Sequence, residues 1–368
     1  MSEAKPRLFS AALELTRYCN QKCDYCYNAF RADPQWPSHG EDPWPARVER
    51  LLQTFELDHV TLTGGEPFAY RGLFELLAQL QAASVPVQMI SNGGLISDAL
   101  AARLAPFAPR YVQVTLNGPE RALHEEHVGP GHFEATLAGV AALREHGVRV
   151  VGCIVVTRKN ALHVGEILAL WERLGAQQIA LSRFSPAGYA VAAVAQLLPS
   201  REQMITAFEQ ALPFARERGM RIHCTMPIPP CAIEIEQFAP IGFGSCPIGT
   251  SMQEIAVGPD GKLRNCTLHG RAIGQAEQPG DIADPSVDLA ALLLHDDVRA
   301  YRKQAPAFCR GCLHEHSCNG GCGAASEWIH GSRAELPDPV ISQYIDERFG
   351  AQLRATRGET KRRLAITP

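Results

Sequence analysis

Cys19-Asn20-Gln21-Lys22-Cys23-Asp24-Tyr25-Cys26 is the stretch on which the whole chain turns. Its three thiols stand at gaps of three and two residues. A disulfide needs an even number, whereas three close thiolates suit a soft, thiophilic metal centre. Three thiolates also leave one iron of a four-iron cube without a protein ligand. An open position is what a catalytic centre needs and a structural one avoids. Taken alone, the spacing fits a chance cluster or part of a zinc site equally well. Its context narrows the choice. The loop follows a short apolar run, residues 9–15, that reads as a strand. A second such run, residues 59–62, leads into Gly64-Gly65-Glu66-Pro67.

Working outward, the first 218 or so residues alternate strand and helix signals. Apolar strand candidates fall at residues 9–15, 59–62, 86–90, 111–116, 148–156 and 178–184. Between them, residues 44–57, 73–83, 133–146 and 161–174 carry Leu and Phe at three- and four-residue steps, as an amphipathic helix does. Ser97 and Asp98 open a further helix over 99–104. Six strand–helix units predict a parallel sheet covered by helices. Periodicity alone does not separate a partial barrel from a doubly wound open sheet. In both, ligands sit at the carboxyl ends of the strands. The distinctive loops obey that rule: the cysteine loop, Gly64–Pro67, Ser91-Asn92-Gly93, Asn117-Gly118-Pro119, and Arg183 with the Ser185–Gly188 turn. His124 and His127 are expected in a loop after strand four, at the surface. Cys153, inside an apolar run, is expected in the core.

The bulk properties set bounds. The 368 residues carry a net charge of −4, 46% hydrophobic and 20% charged residues, as a soluble globular protein does. That charge gives no reason to expect nucleic acid or an anionic membrane as a partner. Neither a signal peptide nor a run long enough to span a membrane is legible. Twelve cysteines without a secretion signal point to metal or redox use in a reducing compartment, so a cytoplasmic location is expected.

The cysteine loop, with an aromatic residue before its last thiol and a glycine-rich turn after strand two, resembles the radical S-adenosylmethionine (AdoMet) superfamily. The resemblance implies a partial (β/α)6 barrel, TIM-like, over residues 1–220. It also implies a 4Fe-4S cluster on Cys19, Cys23 and Cys26 whose open iron binds the amino and carboxylate groups of AdoMet. An electron donor such as a flavodoxin or ferredoxin would reduce the cluster. Cleavage would then give a 5′-deoxyadenosyl radical able to take hydrogen from an unactivated carbon. The same resemblance places Tyr25, Gly64, Gly65, Glu66, Pro67, Ser91, Asn92, Asn117 and Arg183 around the cofactor. Gly64 and Gly65 would permit close approach, Glu66 would meet the ammonium, and Ser91 and Asn92 would meet ribose or carboxylate.

Residues 221–245 read as a bridge, rich in proline and glycine. Residues 246–340 form a small cysteine-rich region too poor in apolar runs to fold without a staple. There Cys309, Cys312, Cys318 and Cys322 stand in a C-x2-C-x5-C-x3-C pattern, downstream of Cys246 and Cys266. A zinc ribbon would use similar ligand pairs. Beside the first region, the pattern resembles the SPASM extension, which holds one or two auxiliary iron–sulfur clusters. Carried over, one cluster would use Cys246, Cys266 and Cys322, with Cys231 or Cys224 as fourth ligand. The other would use Cys309, Cys312 and Cys318 plus a cysteine just after Asp338-Pro339. Val340 stands there instead, and no cysteine follows Cys322. Three readings stay open: an open iron, a non-cysteine ligand such as Asp338 or His330, or a different centre or none. The preferred one is a bound cluster with an open or non-thiolate fourth site. Residues 341–368 read as a charged, solvated helix or tail with Arg354, Arg357, Lys361, Arg362 and Arg363.

The expected function is radical modification of a small ribosomally made peptide, served by a separate leader-recognition protein because only about eight residues precede the first strand. Alternatives are a free small molecule (a porphyrin precursor, a sugar or an amino-acid derivative), a sulfatase maturation activity, or a non-catalytic iron–sulfur or zinc carrier or sensor.

Overall fold

The structure, a computed structural model, describes residues 5–32, 42–277, 279–303 and 305–349. Six parallel strands form its centre: β1 (Arg7–Glu14), β2 (Glu56–Thr63), β3 (Val87–Ser91), β4 (Val112–Thr115), β5 (Val150–Val156) and β6 (Gln178–Arg183). They lie side by side in chain order, and the sheet does not close on itself. This is the open partial barrel with a small cysteine-rich region at its carboxyl end. The strands are largely apolar because helices cover them. Leu13, Leu62, Met89, Val114, Ile154 and Leu181 are buried, facing helix residues such as Leu51, Leu77, Leu143, Ile167 and Trp171.

The helices follow their sequence signals closely. Ser97 caps Asp98–Leu104, accepting the Leu100 N–H. Ser200 and Gln203 form a reciprocal capping box at the start of Arg201–Arg216. The residues from Ala161 divide into a short 3-10 turn and a helix, Val164–Arg173.

Four further strands extend the sheet beyond the expected six. β7 (Arg221–Cys224) pairs parallel with β6, and β8 (Gly242–Phe243) with β7. Both fall in what reads from sequence as a bridge. At the opposite edge, β9 (Glu254–Val257) pairs parallel with β1, from Ser10–Glu254 to Leu13–Val257, and β10 (Leu263–Arg264) closes a hairpin on it. The cysteine-rich region is thereby stitched to the barrel's first strand by main-chain hydrogen bonds.

Two other expectations change. His124 and His127 lie on a helix, Arg121–Val128, and both are buried. Their rings are held by polar partners inside: the Asn117 N–H donates to His124 Nδ1 at 3.2 Å, and His127 Nε2 meets Thr157 Oγ1 at 2.8 Å. The supposed solvated tail begins as a packed helix, Pro339–Phe349, with Val340, Ile341, Tyr344 and Ile345 buried. Its basic cluster from Arg354 to Arg363 lies outside the described residues.

Candidate active site and thiol clusters

The first three rim loops are one hydrogen-bonded unit. The Gly65 N–H donates to the Thr16 carbonyl at 2.6 Å, and the Glu66 N–H to the Tyr18 carbonyl at 2.8 Å. This clips the glycine turn to the chain just before Cys19. Close approach explains the two glycines. Gly64 has φ of +121°, and a Cβ there would stand 2.8 Å from the Thr16 carbonyl oxygen. A Cβ at Gly65 would overlap the Tyr18 carbonyl. The glycines therefore seat the cysteine loop, a role the sequence reading reserved for contact with the cofactor.

Glu66 is fully buried and joins strand two to strand three. Its carboxylate accepts from Ser91 Oγ at 2.8 Å, the Asn92 N–H at 2.8 Å and the Phe68 N–H at 3.2 Å. Burial pushes its pKa up to about 7, against the pull of those hydrogen bonds. Asn92 carries the link onward: its Nδ2 donates to Asn20 Oδ1 at 2.8 Å and lies 3.6 Å from Cys19 Sγ. Pro67 is buried at the start of a 3-10 turn.

The other side of the loop is fixed from strand five, which the sequence reading passed over. Lys159 Nζ binds Asp24 at 2.8 Å, between Cys23 and Cys26, and reaches Glu126 at 3.4 Å. The Lys22 and Asp24 N–H groups donate to the carbonyls of Val128 and His127. The Tyr25 ring packs edge-on to His127. From strand six, the Ala190 N–H donates to the Cys26 carbonyl at 2.9 Å. Asn117 is also in place. Its Oδ1 accepts the Val155 N–H at 2.8 Å, while its buried Nδ2 has no partner. Lys159 and Asn160 had a faint sequence signal, as polar residues directly after an apolar strand.

Arg183, expected near the cofactor, has its guanidinium donating to the Pro227 and Phe184 carbonyls and to Asp338. Asp338 is fully engaged too, since it also accepts the Cys322 N–H at 3.0 Å and the Val340 N–H at 2.9 Å. Both side chains are thus engaged with one another and with the main chain.

The remaining cysteines gather in two places. Cys246, Cys266 and Cys322 gather around the buried Tyr301; burial first, then the neighbouring Cys322 and Cys246, push the Cys266 thiol up. Cys309, Cys312 and Cys318 line one small cavity, and Cys231 lines the same cavity. The resemblance offered Cys231 as a possible fourth ligand of Cys246, Cys266 and Cys322, whereas here it shares a cavity with the other three cysteines. Cys224 joins neither group; it is buried, and its thiol donates to the Met226 carbonyl. Cys153 is buried in the core as expected, with its thiol pushed up to about 11 by burial.

The donor chemistry fits iron–sulfur ligation. Cys19, Cys246, Cys266, Cys312, Cys318 and Cys322 each accept a main-chain N–H from two or three residues downstream. Such bonds favour the thiolate and are among the means by which a protein tunes a cluster. Burial opposes them at Cys322, pushing its thiol to about 12, so that sulfur ionises only beside a cation. Among the described residues, no three His, Cys, Asp or Glu side chains gather tightly enough for a single metal ion. A multi-iron cluster gives each thiolate its own iron and so needs a wider ring.

Residues 13–170 match the family model of the Radical SAM superfamily. Together with the thiol loop and its supports, that match gives the class of this part of the chain: residues 13–170 are similar to the radical SAM superfamily. Among individual proteins, it is 28% identical over 206 residues to an AdoMet-dependent heme synthase of Oleidesulfovibrio alaskensis, covering 55% of this chain and only about half (52%) of that enzyme. It is 26% identical over 347 residues to the PqqA peptide cyclase of Xanthomonas campestris, covering 93% of this chain and 89% of that one. In fold it matches Streptococcus suis SuiB bound to the precursor peptide SuiA, with a TM-score of 0.68 over 91% of this chain and 76% of SuiB, at 17% identity. Among the described residues, no helix is long and apolar enough to cross a membrane.

Proposed function

We propose that this chain is a radical AdoMet enzyme that oxidatively modifies a ribosomally made peptide. The observation that carries the reading is the hydrogen-bonded unit of cysteine loop, Glu66 and Asn92. Cys19, Cys23 and Cys26 would hold a 4Fe-4S cluster. When bound, that cluster supplies the electron that splits AdoMet into methionine and a 5′-deoxyadenosyl radical. Glu66, bonded to Ser91 and Asn92, would pair with the cofactor's ammonium group, and Ser91 and Asn92 would orient the cofactor's carboxylate. The unpartnered Asn117 Nδ2 offers a donor at the rim. Lys159 and Asp24 hold the loop in position.

The likeness to a peptide cyclase runs through the cysteine-rich region, which supports a peptide substrate and auxiliary clusters there. A separate leader-recognition protein and a flavodoxin-type or ferredoxin-type reductant belong to the same reading. The heme synthase likeness favours a second reading, a free tetrapyrrole-like substrate, but it stops at 55% of the chain. The two are separated by anaerobic turnover with candidate peptides encoded beside this reading frame and, in parallel, with porphyrin precursors. A mass change on a peptide, together with 5′-deoxyadenosine, supports the first reading. A mass change on a tetrapyrrole alone replaces it with the second.

A further inference from the structure

The sequence pattern leaves the centre of Cys309, Cys312 and Cys318 one ligand short, because Val340 stands where a cysteine is expected. Of the substitutes suggested by sequence, His330 is not among the residues lining the cavity that Cys309, Cys312 and Cys318 share. Val340 is buried on the first turn of the last helix. Asp338 is committed to Arg183 and to the N–H groups of Cys322 and Val340. What reaches the cavity instead comes from the bridge, some eighty residues earlier in the chain.

That residue is Cys231. It sits on a tight turn, Pro229-Pro230-Cys231-Ala232, closed by the Ala232 and Ile233 N–H groups on the Pro229 carbonyl at 2.9 and 3.2 Å. Ala232 and Ile233 are buried, so the turn is anchored from beneath while Cys231 stays exposed. Pro229, Pro230 and Cys231 form one wall of the cavity whose other wall carries Cys309, Cys312 and Cys318. Four thiols from two distant segments thus line one space, together with apolar Phe308, Pro337, Ile341 and Ile345 and with His314 and Glu315, whose carboxylate accepts the Gly311 N–H at 2.8 Å.

We infer that Cys231 is the fourth thiolate of the centre held by Cys309, Cys312 and Cys318, replacing the ligand absent at Val340. The inference rests on the reading that this region holds auxiliary clusters. Each thiol gives its proton to solvent on binding, and four thiolates fill the four irons of a cube. This centre is then closed and suited to passing electrons. The three-thiol set, Cys246, Cys266 and Cys322, is the one left with an open position.

The test uses the full chain, isolated without oxygen, with Cys19, Cys23 and Cys26 replaced by Ala so that only auxiliary iron remains. Into this parent go Cys231→Ala, Cys318→Ala, Cys266→Ala and Cys224→Ala, each read by iron and sulfide content and by EPR. Cys231→Ala should remove the same signal as Cys318→Ala, with about half of the iron, or leave a three-iron form of it on oxidation. Cys224→Ala should change nothing. In the unaltered chain, Cys231 should resist iodoacetamide until the iron is chelated. The inference is overturned if Cys231→Ala keeps all its iron, loses the signal that Cys266 controls, or if Cys231 alkylates while the iron is in place. A parent with no iron at all would instead overturn the auxiliary-cluster reading beneath it, and the two failures are therefore distinguishable.

Discussion

Arg183 and Asp338 form an ion pair with no solvent exposure on either side chain, 155 residues apart in sequence. Arg183 ends the sixth barrel strand, and Asp338 also holds the N–H of Cys322, the last cysteine. One buried pair therefore ties the barrel rim to the thiol cluster. Removing one partner strands a buried charge, which costs about 3–5 kcal/mol. Asp338→Ala should lower the thermal midpoint clearly and release auxiliary iron, while iron on the first cysteine loop stays. Calorimetry with iron analysis checks this; an unchanged midpoint would show that the pair carries no structural weight.

Glu66 supplies a pH dependence. Its folded pKa is raised to about 7 by burial, so it holds a proton below that pH. Pairing with the ammonium of AdoMet requires the charged form. Affinity should therefore weaken by about tenfold per pH unit below 7 and level off above it. Glu66→Gln should bind weakly with no such slope. Equilibrium dialysis between pH 5.5 and 8, a range chosen to bracket about 7, measures both. A flat wild-type profile would remove Glu66 from the cofactor site.

Gly65 offers a steric test. A Cβ there overlaps the Tyr18 carbonyl, which leads into Cys19. Gly65→Ala should displace the cysteine loop and cost most of the iron bound by Cys19, Cys23 and Cys26, with auxiliary iron retained. Iron counting across the two backgrounds decides. Full retention on the first loop would mean the turn yields without disturbing it.

His124 sets a limit on the acid side. Burial lowers its pKa to about 4, and its Nδ1 must stay unprotonated to accept the Asn117 N–H. The unfolded chain takes up the proton near the ordinary 6.5, whereas the folded chain resists until about 4. Stability that His124 leaves intact above 6.5 is therefore lost as pH falls through that window, by at most about 3 kcal/mol. Urea unfolding of wild type and His124→Gln at several pH values checks it; the variant should lack this part of the slope.

The sequence made the six central strands legible because each is a short apolar run followed by a helical period. Most boundaries agree within a residue or two, as at residues 178–184 against Gln178–Arg183. The thiol loop and the rim loops after strands two and three were also readable as motifs, since their chemistry is local, but Lys159, which holds Asp24 from far along the chain, was not. The edges of the sheet were not. Gly242–Phe243 and Leu263–Arg264 are two-residue strands with no periodicity to detect. The helix carrying His124 and His127 is eight residues long and polar enough to pass for a loop. Arg183 reads as a rim residue because it ends a strand, but its partner lies in a segment that folds back from far along the chain. That Cys231 shares a cavity with Cys309, Cys312 and Cys318 was illegible for the same reason. Spacing reports which residues share a turn, not which turns meet.

The central claim is that Cys19, Cys23 and Cys26 hold a cluster that reductively cleaves AdoMet. The direct measurement incubates the anaerobic, dithionite-reduced chain with AdoMet and quantifies 5′-deoxyadenosine by mass spectrometry, beside the variant with all three cysteines replaced by Ala. The account predicts 5′-deoxyadenosine from the native chain and none above background from the variant. No product from an iron-loaded native chain, or equal product from the variant, would contradict it.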